Sequence, residues 1–78
     1  MSPADILTMA AEVLAGIAPE ADLATVGDNE DLREALDLDS MDFMNFVIGL
    51  HQKSGREIPD ADAPLLATRR GLLAYFAD

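Results

Sequence analysis

The stretch Leu36-Asp37-Leu38-Asp39-Ser40-Met41-Asp42-Phe43 runs directly into Met44-Asn45-Phe46-Val47-Ile48-Gly49-Leu50-His51-Gln52-Lys53, and Ser54-Gly55 follows. Its spacing predicts a helix from about Ser40 to Lys53, stopped by the glycine. At about 100° per residue, Phe43, Phe46, Val47 and Leu50 share one arc, an ordinary core stripe. Met41, Met44 and Ile48 share a second arc roughly 130° away. Asp42, Gly49 and Lys53 fall on a third, polar side. A helix on one side of a small bundle needs a single apolar stripe, and this one has two. Methionine is flexible and polarizable and suits surfaces that adapt to several partners. The second stripe is therefore either a docking surface beginning one residue after Ser40 or a second core contact of a helix buried on two sides.

Working outward, Ser2, Pro3 and Asp5 combine an N-cap, a first-turn proline and an acid at the positive helix end. Ile6, Met9, Ala10, Val13 and Ile17 then recur at helical spacing, and Gly16 and Pro19 end this first helix. Residues 18 to 39 show no sustained period. They predict a long acidic loop with a short helical turn around Asp31 to Ala35, anchored by Leu23, Val26, Leu32, Leu36 and Leu38. Beyond Gly55, Ile58-Pro59-Asp60 reads as an extended break, because proline disfavours a helical residue before it. A short turn is expected from Asp60 to Leu66. Thr68 then caps a last helix carrying Leu72, Leu73, Tyr75 and Phe76. Nothing alternates at period two. The fold expected is all-α, a small bundle of three main helices plus one short helix, with residues 1–78 forming a single domain.

Fifteen Asp and Glu against five Lys and Arg give a net charge of −10. That balance repels nucleic acid, whose binding needs cations on phosphates, and disfavours anionic membranes. It suits steering toward basic protein surfaces. No apolar run approaches the roughly 18 residues of a membrane span, and Met1 to Asp5 lacks the features of a secretory signal. A cytoplasmic monomer is expected. There is no cysteine, so any thiol chemistry needs a sulfur from outside the chain.

Ser40 invites four readings from its surroundings. As a hydrolase nucleophile it is poor: the Gly-x-Ser-x-Gly elbow is missing and the only histidine, His51, lies about three turns along the same helix. As part of a calcium loop the stretch fails, because Asp42 and Ile48 occupy the positions that need glycine and glutamate. As a helix N-cap the serine is ordinary. A serine modified by another enzyme also remains open.

Asp39-Ser40-Met41-Asp42 followed by the apolar helix resembles the acyl carrier proteins, whose signature is Asp-Ser-Leu, an acidic residue and an apolar helix. Met41 replaces the leucine. The resemblance continues through Asp31-Leu32, Glu57-Ile58-Pro59-Asp60, Thr68 and Ala74-Tyr75-Phe76. It implies that a phosphopantetheinyl transferase with Mg²⁺ joins 4′-phosphopantetheine to Ser40 Oγ. The arm's thiol then holds acyl groups as thioesters for acyl-transferring or acyl-activating enzymes of fatty-acid, lipid or polyketide-type synthesis. On this reading the protein is no enzyme but the substrate of others. Asp39 and Asp42 flank the site for recognition, Met41, Met44 and Ile48 face partners, and Phe43, Phe46, Leu50, Ile58 and Leu72 surround an acyl chain. No metal ligand is implied.

Several residues depart from the family pattern. Asp37 stands where many members have glycine, so the turn before Ser40 is expected to differ. Asn45, His51, Gln52 and Lys53 replace much of the acidity of the helix after the serine. Phe43 and Phe46 are bulky for an acyl tunnel and imply a smaller or reshaped cavity. Arg69 and Arg70 put cations at the positive end of the last helix, which is locally unfavourable; a partner contact is the one role the sequence suggests. Together these point to a specialised carrier. An aminoacyl or peptidyl carrier of a nonribosomal pathway, and an unmodified helical adaptor, stand as alternatives.

Overall fold

Why the chain forms these helices is written mostly at their ends. The computed structural model describes residues 1–77. Helix α1 spans Pro3–Ala15, with Ser2 Oγ accepting from Asp5 N at 3.2 Å and Gly16 closing the C-terminus. A 3₁₀ turn over Leu23–Thr25 was not foreseen; the Asp22 carboxylate caps it by accepting from Ala24 N at 3.0 Å. Helix α2 is one turn, Leu32–Ala35, capped by Asp31. Helix α3 runs Ser40–Ser54 and ends at Gly55, whose φ of 71° supplies the left-handed stop. A 3₁₀ segment covers Asp60–Leu66, and α4 covers Arg69–Phe76 with Thr68 as its cap. The described residues contain no strand, so the all-α expectation holds.

The core is one cluster in which Ile6, Leu14, Leu32, Phe46, Leu50, Leu66 and Leu72 are the largest fully buried side chains. Helix α1 contributes its Ile6, Met9, Ala10, Val13 stripe, and α3 contributes Phe43, Phe46 and Leu50. Burying each large apolar side chain stabilises the fold by about 1.5 to 3 kcal/mol against an exposed reference. In so short a chain these few residues hold most of the stability.

Two expectations need correction. Gly49 does not sit on a polar side of α3. It faces α1, where an added Cβ would lie 2.5 Å from Val13 Cγ1, so the missing side chain sets how closely the two helices approach. Arg69 and Arg70 also have partners inside the chain. Arg69 Nη1 donates to Val26 O at 2.9 Å and Arg70 Nε to Asn29 Oδ1 at 2.8 Å, while Arg70 N bonds Asp28 O at 3.0 Å. These bonds pin the acidic loop onto the start of α4, and the carbonyl acceptors offset the unfavourable position of the cations. The sequence could not show this pairing, because its partners lie about forty residues away.

The loop is tied a second time by Leu32 N donating to Ala67 O at 2.7 Å. That bond fixes α2 against the end of the 3₁₀ segment. With α2 held, the chain from Leu36 to Asp39 has only four residues in which to turn into α3. The position of Ser40 follows from that short connection.

Candidate functional site

The connection into α3 begins with a Schellman motif. Leu38 N donates to Arg33 O at 2.8 Å and Asp37 N to Glu34 O at 3.4 Å, with Asp37 in the left-handed region at φ 54°. The turn therefore keeps the backbone conformation that favours glycine, although the residue is aspartate. Aspartate tolerates this region better than most residues. Leu38, next in the chain, is buried and anchors the turn to the core.

Ser40 is the first residue of α3 rather than its cap. Asp39 is the cap: its Oδ1 accepts from Asp42 N at 2.8 Å, and Asp42 Oδ2 accepts from Asp39 N at 3.4 Å. This reciprocal capping box uses both acids that flank the serine. It leaves the Ser40 side chain exposed and free of any capping bond among the described residues. Both carboxylates also favour the positive end of the helix.

The second stripe of α3 faces solvent. Met41, Met44 and Ile48 are 68%, 59% and 47% exposed, so α3 is buried on one side only. Beside this stripe lies an open cleft of about 620 Å³, between α3 and the 3₁₀ segment. Ser40 stands at one end and His51 at the other, roughly 16 Å apart along the helix. Phe43, Val47, Ile58, Ala63 and Pro64 form its apolar wall, with Met44 and Ile48 on the outer edge. The size falls within the usual range for small-molecule sites.

Of the five residues expected around an acyl chain, the structure brings Phe43 and Ile58 into this wall. Phe46, Leu50 and Leu72 have no exposed surface and lie in the core beneath it. Phe43 is 8% exposed and its ring is tilted against Phe46 at 6.2 Å between centroids. The space next to Ser40 is thus an open cleft over a filled core.

Sequence reasoning missed Arg33. Its guanidinium lies over the Phe43 ring, 5.2 Å from the centroid, and lines the same cleft as Ser40. Asp31 holds it there, accepting from Nε at 3.1 Å and from Nη2 at 2.8 Å. The hydrogen bonds from Arg33 hold the Asp31 carboxyl below the usual carboxylate range. The available signal was the Asp-x-Arg spacing, which allows an acid capping α2 to reach back to its own first turn.

Residues 4–76 match the family described as phosphopantetheine attachment site. The chain belongs to this phosphopantetheine-attachment family. A relative is the acyl carrier protein of Lactobacillus acidophilus (strain ATCC 700396 / NCK56 / N2 / NCFM), 32% identical over 56 residues, or 72% of this chain and 70% of the relative. No solved structure matches the chain. The cofactor of the family is covalent 4′-phosphopantetheine, and this chain is an acyl-carrier-like phosphopantetheine carrier. Its residues fit such a group: an exposed hydroxyl opens a helix whose N-terminal dipole favours an attached phosphate, and an apolar cleft lies beside it. Among the described residues, no helix is long and apolar enough to cross a membrane.

Proposed function

We propose that a transferase moves 4′-phosphopantetheine from coenzyme A to Ser40 Oγ, which loses its proton as the pyrophosphate bond breaks and adenosine 3′,5′-bisphosphate leaves. The protein then holds acyl groups on the arm's thiol as thioesters while partner enzymes act on them. The observation that carries this reading is the exposed Ser40 in the first turn of α3, at the mouth of the apolar cleft. The chain supplies presentation and shelter; catalysis belongs to the partners. A short acyl chain lies along Phe43, Val47 and Ile58, with Phe46, Leu50 and Leu72 as the closed layer beneath. The exposed Met41, Met44 and Ile48 contact partner enzymes, the phosphopantetheinyl transferase among them, and Asp39 and Asp42 meet their basic residues. The net charge of −10 supports such steering. The working form is a cytoplasmic monomer serving fatty-acid, lipid or polyketide-type synthesis.

Incubation with coenzyme A, Mg²⁺ and a broad-specificity transferase tests the assignment. The intact mass should rise by one arm, on the order of 340 Da, and the gain should vanish in Ser40→Ala. A folded wild-type protein that gains no mass contradicts the carrier reading. A gain that survives Ser40→Ala contradicts the site.

A further inference from the structure

Among the described residues, Arg33 is the only lysine or arginine that lines the Ser40 cleft. The other four cations are placed elsewhere. Arg69 and Arg70 bind the acidic loop, Arg56 lies over Tyr75 and Phe76, and Lys53 lies in the last turn of α3. Around Ser40 the nearest charges in sequence are instead Asp37, Asp39 and Asp42. A phosphodiester joined to Ser40 therefore enters a region already rich in negative charge, in a chain of net charge −10. Repulsion there drives the arm away from the protein unless a cation opposes it.

We propose that Arg33 binds the phosphodiester of the arm and turns the arm into the cleft. This rests on attachment at Ser40. Three observations support it. Arg33 and Ser40 share one cleft, and the guanidinium stacks on Phe43, only three residues after Ser40 and so about 4.5 Å further along the helix axis. Asp31 fixes the guanidinium through Nε and Nη2, and no acceptor among the described residues meets Nη1. The N–H groups of Ser40 and Met41 also lack backbone acceptors among the described residues, because the first helical bond of α3 is Phe43 N to Asp39 O. An oxyanion on Ser40 Oγ thus enters a cleft that a preset guanidinium also lines, at a helix start whose first two amides have no backbone acceptor, and such donors make charge-assisted bonds strong.

A carboxylate on the cargo offers Arg33 the same chemistry. The phosphodiester is favoured because its phosphorus is bonded to Ser40 Oγ itself, whereas the cargo begins at the far end of the arm.

The test uses the intact protein, wild type and Arg33→Gln, each converted fully to the holo form as shown by the mass gain. Arg33→Gln keeps part of the side-chain stem over Phe43 and removes the charge. Two readouts follow: the ¹⁵Nε–H resonance of Arg33 in apo and holo wild type, and the difference in melting temperature between holo and apo forms of each variant. We expect the Nε–H resonance to move on modification, before any cargo is loaded. We expect holo to melt above apo by about 4 to 8 °C in wild type, and that difference to fall toward zero in Arg33→Gln and recover partly in Arg33→Lys. A merely structural Arg33 would lower both forms of the variant equally and leave the difference intact. Complete mass gain with an unmoved Nε–H resonance and equal differences overturns this proposal alone. A resonance that moves only when a dicarboxylic half-thioester is loaded, and not with a neutral acyl group of the same length, also overturns it and assigns Arg33 to the cargo. No mass gain at all removes the carrier reading and this proposal with it.

Discussion

Gly49 of α3 lies so close to Val13 of α1 that a Cβ on the glycine would stand 2.5 Å from Val13 Cγ1 and 3.3 Å from Cγ2. Two effects of opposite sign meet at this position. Replacing a glycine inside a helix by alanine ordinarily stabilises by about 0.5 to 1 kcal/mol. Overpacking a close-packed contact costs about 1 to 3 kcal/mol. The valine is β-branched and stiff, so it cannot turn aside cheaply. The clash wins, and Gly49→Ala should lose about 1 to 2 kcal/mol in urea unfolding. Adding Val13→Ala should reverse the sign, leaving the double variant more stable than Val13→Ala alone. Independent, additive losses would show that the helices do not meet here.

Asp37 makes a separate prediction about the turn before Ser40. An L-residue in the left-handed region costs roughly 1 to 2 kcal/mol, with aspartate at the low end. Glycine escapes that cost but loses more entropy on folding. Asp37→Gly should therefore stabilise only slightly, by about 0.5 kcal/mol, whereas Asp37→Val should lose about 1 to 2 kcal/mol. Urea midpoints ordered glycine, aspartate, then valine support the backbone argument. A destabilised glycine variant would mean that the Asp37 carboxylate, rather than its φ of 54°, holds the turn.

These two residues show what was legible in the sequence. The helix limits were readable because their signals are local: Ser2, Thr68 and Gly55 stand at the caps they suggest. The core stripe of α3 was readable from its period, and so was the second stripe, although only burial distinguishes a solvent face from a second core contact. Gly49 was misplaced because an α-helical wheel assigns a face by side-chain polarity, and glycine has no side chain to weigh. The turn at Asp37 was expected to differ, yet the backbone kept its left-handed form because Leu38 and the α2 carbonyls fix it from both sides. The cleft beside Ser40 needed tertiary structure, since its walls come from α3, Ile58 and the 3₁₀ segment. Arg33 was passed over because its importance depends on Phe43, ten residues on, folding back beneath it.

The acidic loop gives a prediction about ions. With a net charge of −10 on 78 residues, self-repulsion opposes the compact state. Raising monovalent salt from about 10 mM to 150 mM shortens the screening length from roughly 30 Å to 8 Å, and the melting temperature should rise with it, as it should with millimolar Mg²⁺. Arg69→Gln should cost about 1 to 2 kcal/mol, because its part-buried bond to Val26 O is charge-assisted. Arg70→Gln should cost less, since its bond to Asn29 is exposed. A melting temperature indifferent to salt would show that the carboxylates lie too far apart to repel.

Tyr75 ties α4 to the 3₁₀ segment and makes that junction sensitive to alkaline pH. Its hydroxyl donates to Asp62 Oδ2 at 2.7 Å, and Arg56 packs over the ring and donates to Tyr75 O. The hydrogen bond to Asp62, assisted by desolvation, holds the phenol above its ordinary value of 10.0, against a smaller opposing pull from Arg56. The sign follows from linkage. A group whose folded pKa is raised adds stability that is complete below its unfolded pKa and is lost as pH climbs through the folded one. The contribution is thus present at neutral pH and should fade above about pH 10. Tyr75→Phe, which keeps the ring and removes the donor, should melt lower than wild type at neutral pH, with the gap intact up to about pH 10 and closing as pH climbs above it. Parallel melting curves for the two proteins across that range would mean that Tyr75 and Asp62 do not share a proton-dependent bond in solution.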